Sequence, residues 1–276
     1  FYPKKSICTI HDITPLFFPG HKMKSIIRRL AYRLVFKATL AKAKKIITIS
    51  QSTKRDLVKY LGVKPEKIQV IYEGVDERFK PIENRDIINN TKQRLNIAKP
   101  FIFFVGVWRG HKNIESLVKA FNILKEKYKI PHQLVIGGRA DLHYTKIQET
   151  IDKSPFKNDI VTPGYISDSD LPILYSSADV FALPSFIEGF GLIAIEAQAC
   201  GCPVVSTNTT SMPEILGDSA EFFDPNNAEQ MAEQIFKVIS NADLRKKLIE
   251  KGFENVKRFS WKKCAKQTLA VYKSLK

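Results

Sequence analysis

The sequence predicts a doubly wound α/β fold with parallel sheets. Short β-rich apolar runs alternate with amphipathic stretches of helical period almost from end to end. Strands separated by helices of about 10–15 residues need crossover connections, and crossovers make parallel neighbours. The alternation is also interrupted once. Residues 81–99 are polar, with Pro81 and Pro100 near their ends. The prediction is therefore of two Rossmann-like units facing across a cleft: residues 1–80, a linker at 81–99 carrying a short helix, residues 100–258, and a final helix in 259–276. At about 100–200 residues per domain, 276 residues suit one large or two modest domains.

In the first unit, Ser6–Ile10, Lys45–Ser50 and Gln69–Tyr72 read as strands. Met23–Ala43 reads as a helix with Ile26, Ile27, Leu30, Leu34 and Ala38 on one face. A second helix follows Ser50 or Ser52 as cap and stops at Gly62. In the second unit, Phe101–Val105 is a fully apolar strand. Asn113–Tyr128 is a helix with Ile114, Leu117, Val118, Phe121 and Leu124 inward. Gln133–Ile136, Asp159–Thr162, Asp179–Leu183 and Pro203–Ser206 are further strands, and helices begin near Ser167, Gly189 and Asn227. Trp261–Leu275 is the final helix, expected to pack back on the first unit.

Composition narrows the class. No run of 18 apolar residues occurs, so no spanning helix is predicted, and no secretory leader opens the sequence. Cys200 and Cys202, with one glycine between them, have neither zinc nor disulfide spacing, and Cys8, Cys200, Cys202 and Cys264 all read as reduced thiols of a cytoplasmic protein. The net charge is +16 and unevenly placed: 11 Lys or Arg and no Asp or Glu lie between Ile13 and Arg55. Such a run fits an anionic membrane surface or a phosphate-bearing substrate as well as a plain solvated helix face. No aromatic interleaving accompanies it, so nucleic acid is not expected.

In doubly wound sheets, ligands bind beyond the carboxyl ends of the strands. The informative stretch there is Pro184–Glu196. A strand ends, a loop presents Glu188, and Gly189 and Gly191 flank a helix start. Free N–H groups and the helix dipole favour an anion such as a diphosphate. Glu196 lies five residues past Gly191, about 7–8 Å down the helix at the usual rise, a distance suited to ribose hydroxyls. Glu188, at the opposite side of the anion, suits a second sugar. A glycine-capped core helix with solvent-facing glutamates is the plainer alternative. Gly189-Phe190-Gly191-x-x-Ala194 also fits the dinucleotide pattern, with Glu214 about 20 residues on, which keeps a nicotinamide-dependent oxidoreductase open. Asp168-Ser169-Asp170 matches a metal-binding D-x-D but stands where acids cap a helix. No metal or cofactor is expected. No nucleophilic triad and no pair of carboxylates across a cleft marks a hydrolase.

As a set, these residues resemble the retaining GT-B glycosyltransferases of the glycogen synthase, sucrose synthase and mannosyltransferase-like group. Glu188-Gly-Phe-Gly-Leu followed by Glu196-Ala197 and Gly201-Cys-Pro-Val-Val is similar to that family's E-x-F-G-x-x-x-x-E region. Phe104-Val-Gly106…His111-Lys112-Asn113, Ile136-Gly-Gly138, Val161…Gly164-Tyr165-Ile166 and Leu174–Ser185 agree in order and spacing, as do Thr9-Ile-His11-Asp12…Pro15, Ile46–Ser50 and Lys67–Val75. The resemblance implies transfer of a hexose from a nucleotide-sugar donor to a glycan or lipid-linked acceptor in cell-surface polysaccharide synthesis; the basic run adds the expectation of a peripheral place on the inner face of the membrane. It implies His11, Lys112 and Glu188 as catalytic. It assigns Gly106, Lys112, Gly138, Tyr165, Ile166, Glu188, Gly189, Phe190, Gly191, Leu192 and Glu196 to the donor. Where the family often has an arginine after the glycine, this sequence has Val107, and Arg109 stands in its place. The family carries further strands and a glycine-rich loop ahead of the His11 strand, so this sequence reads as a fragment or a reduced N-terminal domain, and a non-catalytic nucleotide-sugar-binding subunit is the alternative function.

Overall fold

The computed structural model describes residues 6–20, 23, 25–141 and 143–275. It contains two parallel sheets. The first has β1 (Ile7–Ile10), β2 (Lys45–Thr48) and β3 (Ile68–Val70) in that spatial order, with Ile7 beside Lys45 and Ile46 beside Ile68. Its helices are the short α1 (Thr14–Phe17), α2 (Ile26–Lys42) and α3 (Gln51–Leu61). Ser50 caps α3, accepting from Thr53 N–H, and Gly62 ends it in the left-handed region at φ 66°, as a C-terminal glycine commonly does.

Helix α2 packs on a different side from the one its strongest aliphatic residues suggest. Ile26, Ile27, Leu30 and Leu34 are exposed, by 54–77%, and Ala38 is half-buried. The packing side is the row Tyr32, Phe36 and Leu40, four residues apart. The Tyr32 and Phe36 rings stack at 5.6 Å, Phe36 reaches the small core, and Leu40 is buried with Ile13, Ala43, Ile46, Leu57, Val63 and Ile68.

The polar stretch 81–99 holds α4 (Arg85–Arg94), capped by Asn84. It is docked and not free-standing. Arg94 pairs with Asp170 at 2.6 Å, Ile82 N–H donates to Ser176 Oγ, and Ile97 is buried in the second unit's core. Thus Asp170 holds Arg94, and the helix start it was expected to cap is served by Ser167 Oγ, which accepts from Asp170 N–H. Asp168 pairs with Arg78 at 3.1 Å.

The second sheet contains β4 (Phe101–Val105), β5 (Gln133–Gly137), β6 (Ile160–Gly164), β7 (Val180–Leu183), β8 (Val204–Thr207) and β9 (Ala220–Phe223), in the order β6-β5-β4-β7-β8-β9. Around it lie α5 (Ile114–Lys127), α6 (Thr145–Asp152), α7 (Leu171–Ser177), α8 (Leu192–Ala199), α9 (Met212–Leu216), α10 (Ala228–Ser240) and α11 (Ala242–Val256). Strands β4, β5, β7 and β8 are buried almost throughout, as parallel strands covered on both faces must be. The inward residues expected of α5 are all buried. The order in which strands are added reverses between the parallel neighbours β4 and β7: β5 and β6 follow on one side, β8 and β9 on the other. That switch point opens a crevice beyond Val105 and Leu183.

The last helix, α12 (Trp261–Lys273), starts against the first unit. A side chain at Gly74 would overlap the Trp261 backbone, so glycine there permits the two segments to touch. The link is extended by the rings of Tyr72 and Phe259, 5.9 Å apart. No described helix is long and apolar enough to cross a membrane.

Candidate functional site

The loops after β4 and β7 meet at the switch point. Lys112 closes a short 3-10 turn, Gly110–Lys112, before α5. The joint is Asn113, in the left-handed region at φ 54°, which asparagine tolerates better than most residues. Its buried amide donates to the carbonyls of Pro184 at 3.0 Å and Pro225 at 2.8 Å, tying the loop after β4 to the loop after β7. Across that joint Lys112 Nζ lies 2.7 Å from Glu188 Oε1, with side chains only 14% and 10% exposed. Ser185 Oγ donates to the same oxygen at 2.6 Å. Glu188's main chain is held at both ends: its N–H donates to Thr210 Oγ1 and its carbonyl accepts from Ser211 Oγ. A buried ion pair this well bonded is fixed in position.

Helix α8 begins directly after this loop. Gly191 is its N-cap residue at φ 90°, and a side chain there would strike Met212. A side chain at Gly189 would meet the His11 carbonyl at 2.5 Å. These glycines thus allow close approach of protein to protein at the start of the helix. Gly138 plays the same part against the Gly106 carbonyl, at φ 113°. Leu192 opens α8 half-buried.

One turn and a half along α8, Glu196 faces the buried Tyr175. Burial pushes its carboxyl up to about 7, Asp168 and Asp76 add to the rise, and Arg78 and Tyr175 oppose it. Arg109 lies beside Asp141, Nε to Oδ2 3.8 Å. Tyr165 is exposed, with the Arg139 guanidinium 5.3 Å from its ring centre. Two side chains expected at the donor point elsewhere. Phe190 is buried against Tyr72 and Phe259, and Ile166 is buried beneath Gly137. Both are apolar at positions the chain must bury, so only their main chains remain for a ligand.

His11 comes from the other unit, at the end of β1. Its Nδ1 lies 3.3 Å from Glu73 Oε1, and burial raises the Glu73 carboxyl while His11 opposes that rise. Its carbonyl accepts from Thr53 Oγ1. Nearby, a cavity of about 450 Å³ is lined from both units, by Asp12, Thr14, Phe18 and Met23 on one side and Arg109, His111 and Tyr144 on the other. His111 is held down to about 4 by burial and by Lys112, and so is neutral at pH 7. The sequence assigns no role to Glu73, Thr210 or Ser211 and only a place in a motif to Asn113, since their partners lie far along the chain. Only Asn113, a residue suited to left-handed backbone before a helix, carries a local signal.

The dinucleotide pattern does not survive its context. Its helix follows β7 and not the first strand of the sheet, and Glu214, the acid it needs at a ribose, is bonded to Gln51 and Ser52 N–H. No group of three or more His, Cys, Asp or Glu among the described residues is arranged to hold a metal ion.

With this geometry in place, comparison with known proteins identifies the class. Residues 87–255 match the family model Glycosyl transferases group 1, and residues 1–79 match Glycosyltransferase Family 4. The chain belongs to the group 1 glycosyl transferases. It is 27% identical over 272 residues to O-antigen chain mannosyltransferase B of Escherichia coli, covering 99% of this chain and 71% of that one. It is 25% identical over 264 residues to the serotype-specific mannosyltransferase WbdA of Escherichia coli, covering 94% of this chain but 32% of that one. The Anabaena HepE structure in complex with UDP and glucose superposes with a TM-score of 0.80 at 21% identity, over 98% of this chain and 72% of that one. The fold is GT-B.

Proposed function

We propose that this chain carries the donor site and the acceptor-side histidine of a retaining glycosyltransferase. It moves a hexose, mannose being the first candidate, from a nucleoside-diphosphate sugar to a glycan or lipid-linked acceptor in cell-surface polysaccharide synthesis. The observation that carries this is the buried Lys112–Glu188 pair at the switch point, beside the start of α8 and facing the His11 strand. Relatives named as O-antigen mannosyltransferases and a neighbour that binds UDP and glucose support the same reading.

The roles follow from chemistry. The donor diphosphate lies at the N-terminus of α8, where unpaired N–H groups and the dipole favour an anion. An ammonium has three donors; Lys112 uses one on Glu188 and offers others to the leaving diphosphate. Gly106, Gly138 and Arg109 line the phosphate side. Glu188 accepts from hydroxyls of the transferred sugar, and Glu196 accepts from the ribose. Tyr165 flanks the base. His11, oriented by Glu73, faces the sugar from the acceptor side, and the acceptor hydroxyl attacks on the face the diphosphate leaves. The basic, outward-facing α2 rests on an anionic membrane surface.

A thermal-shift screen against UDP-, GDP- and ADP-sugars, followed by transfer of labelled sugar, tests this. One donor class should raise the melting temperature and support transfer. Lys112→Ala should lower transfer at saturating donor by about 10²–10³-fold, the scale of losing one group that stabilises developing charge. A raised KM with normal kcat would reduce Lys112 to uniform binding. Stabilisation without any transfer would leave a nucleotide-sugar-binding subunit.

A further inference from the structure

The first turn of any helix leaves N–H groups without partners inside the helix. In α3 these are accounted for one by one. Thr53 N–H donates to Ser50 Oγ at 3.0 Å, an ordinary cap within the helix's own segment. The N–H groups of Gln51 and Ser52 have no such local partner. They donate to Oε1 and Oε2 of Glu214, at 2.7 and 2.9 Å. That carboxylate belongs to α9 of the other unit. A negative group at a helix start is also favoured by the dipole.

Both ends of this clamp lead to the site. On the α9 side, the residues just before Glu214 hold the donor loop: Thr210 and Ser211 bind the two ends of Glu188's main chain, and Met212 lies under Gly191. On the α3 side, Ser50 Oγ lies 2.7 Å from the Gly189 carbonyl and Thr53 Oγ1 is 3.1 Å from the His11 carbonyl. A single connected path thus runs from Glu188 through 210–214 to α3 and on to His11. Arg258 steadies the near end, donating to the Glu214 carbonyl at 3.3 Å.

We propose that Glu214 is a positioning residue that sets the gap between His11 and Glu188 by clamping the start of α3 across the cleft. It touches neither donor nor acceptor. Binding of the nucleotide, which rests on the second unit, does not need it; transfer, which needs both units in register, does. This inference uses the transferase reading for its kinetic arm only.

The test compares Glu214→Gln and Glu214→Ala with the unaltered chain. Amide hydrogen exchange reads the clamp without any activity. Gln51 and Ser52 should exchange at least tenfold faster in Glu214→Ala, and the β1 peptide containing His11 should also lose protection, while β4 and β5 do not change. Kinetics reads the consequence. For the donor class selected by thermal shift, Glu214→Ala should lower kcat at least tenfold, leave the affinity for the matching nucleoside diphosphate within twofold, and be partly rescued in Glu214→Gln, which keeps one acceptor oxygen. Faster exchange at Gln51 and Ser52 with unchanged β1 protection and unchanged kcat would mean that Glu214 only caps α3, and the proposal would fall. If Glu214→Ala does not fold, the same two readouts on Glu214→Gln decide. If the unaltered chain transfers no sugar, the transferase reading fails, and the β1 exchange result alone judges the clamp.

Discussion

The two units are made of the same parallel strands and yet hold together differently. In the second, six strands share one large core, and four of them are buried almost throughout. In the first, three strands share a small cluster around Ile13, Leu40, Ile46, Leu57 and Ile68. Helix α2 buries only Leu40 fully. Much of what fixes the first unit comes from the second. Ile49 and Phe79 are buried in the larger core, Glu214 caps α3, and Trp261 closes on Gly74. The second unit has its own core, whereas the unit that presents His11 borrows part of its rigidity. Such an arrangement suits a cleft whose two walls must be set against each other.

The largest expected effect contrasts the two cores. Phe181, in β7, is fully buried, with ring centres of Tyr175 and Phe103 at 5.4 and 6.0 Å. Phe181→Ala should cost about 3–5 kcal/mol of stability. Leu34, on the outward side of α2, is 70% exposed, and Leu34→Ala should stay within about 0.5 kcal/mol. Urea denaturation of both variants checks this. A loss near 2 kcal/mol or more at Leu34 would show that its side is covered in solution, and the contrast between the units would fail.

A smaller effect belongs to the second unit's own chemistry. Glu196 is proposed to accept from both ribose hydroxyls; a proton turns one of its two acceptor oxygens into a donor, and burial places that proton's midpoint at about 7. Nucleoside diphosphate affinity should therefore rise with pH, by about tenfold between pH 6 and 8, which is about 1.4 kcal/mol. Folding stability should move the other way. A carboxyl held above its ordinary value favours the protonated folded state, and that advantage is lost as pH rises from 4.5 to about 7. Calorimetric titrations of the unaltered chain and Glu196→Gln separate this from titration of the phosphate itself. Parallel pH profiles in the two proteins would remove Glu196 from the ribose.

The same contrast explains what the sequence made legible. Strands such as Phe101–Val105 are apolar because both faces are covered, so their positions show in composition alone. Helix α5 buries every residue its period assigns to the core. In α2 the aliphatic row and the packing row differ, because Tyr32 and Phe36 supply the buried face and period alone cannot rank two apolar rows. Helix α9 and strand β9 span five and four residues, too short to show a period. Among site residues, Lys112, Glu188 and Glu196 stand in recognisable local patterns. The pairs His11–Glu73 and Glu214–α3 join residues 62 and about 160 positions apart, which no local spacing can reveal.

The smallest single-residue effect lies on α2 and tests whether its outward side has a use. Arg33 and Lys37 are exposed there, next to Leu30, Leu34 and Val35, within a run of 11 cations free of acids. An exposed row of cations and aliphatic residues is the pattern that settles into an anionic lipid surface, the charges at the headgroups and the apolar side chains at the acyl boundary. Each cation close to such a surface contributes about 1 kcal/mol, so Arg33→Gln should weaken binding about fivefold. The attraction depends on screening, and the Debye length falls from about 10 Å at 0.1 M salt to about 3 Å at 1 M. Sedimentation with phosphatidylserine-containing and with neutral phosphatidylcholine vesicles, at low and high salt, provides the measurement. Binding should be confined to the anionic vesicles at low salt and should weaken in Arg33→Gln, with the urea midpoint unchanged. Equal and salt-insensitive partitioning to both kinds of vesicle, or none to either, would make the row a solvated helix face. The first unit would then differ from the second in its small core and its dependence on the second unit, with no surface function added.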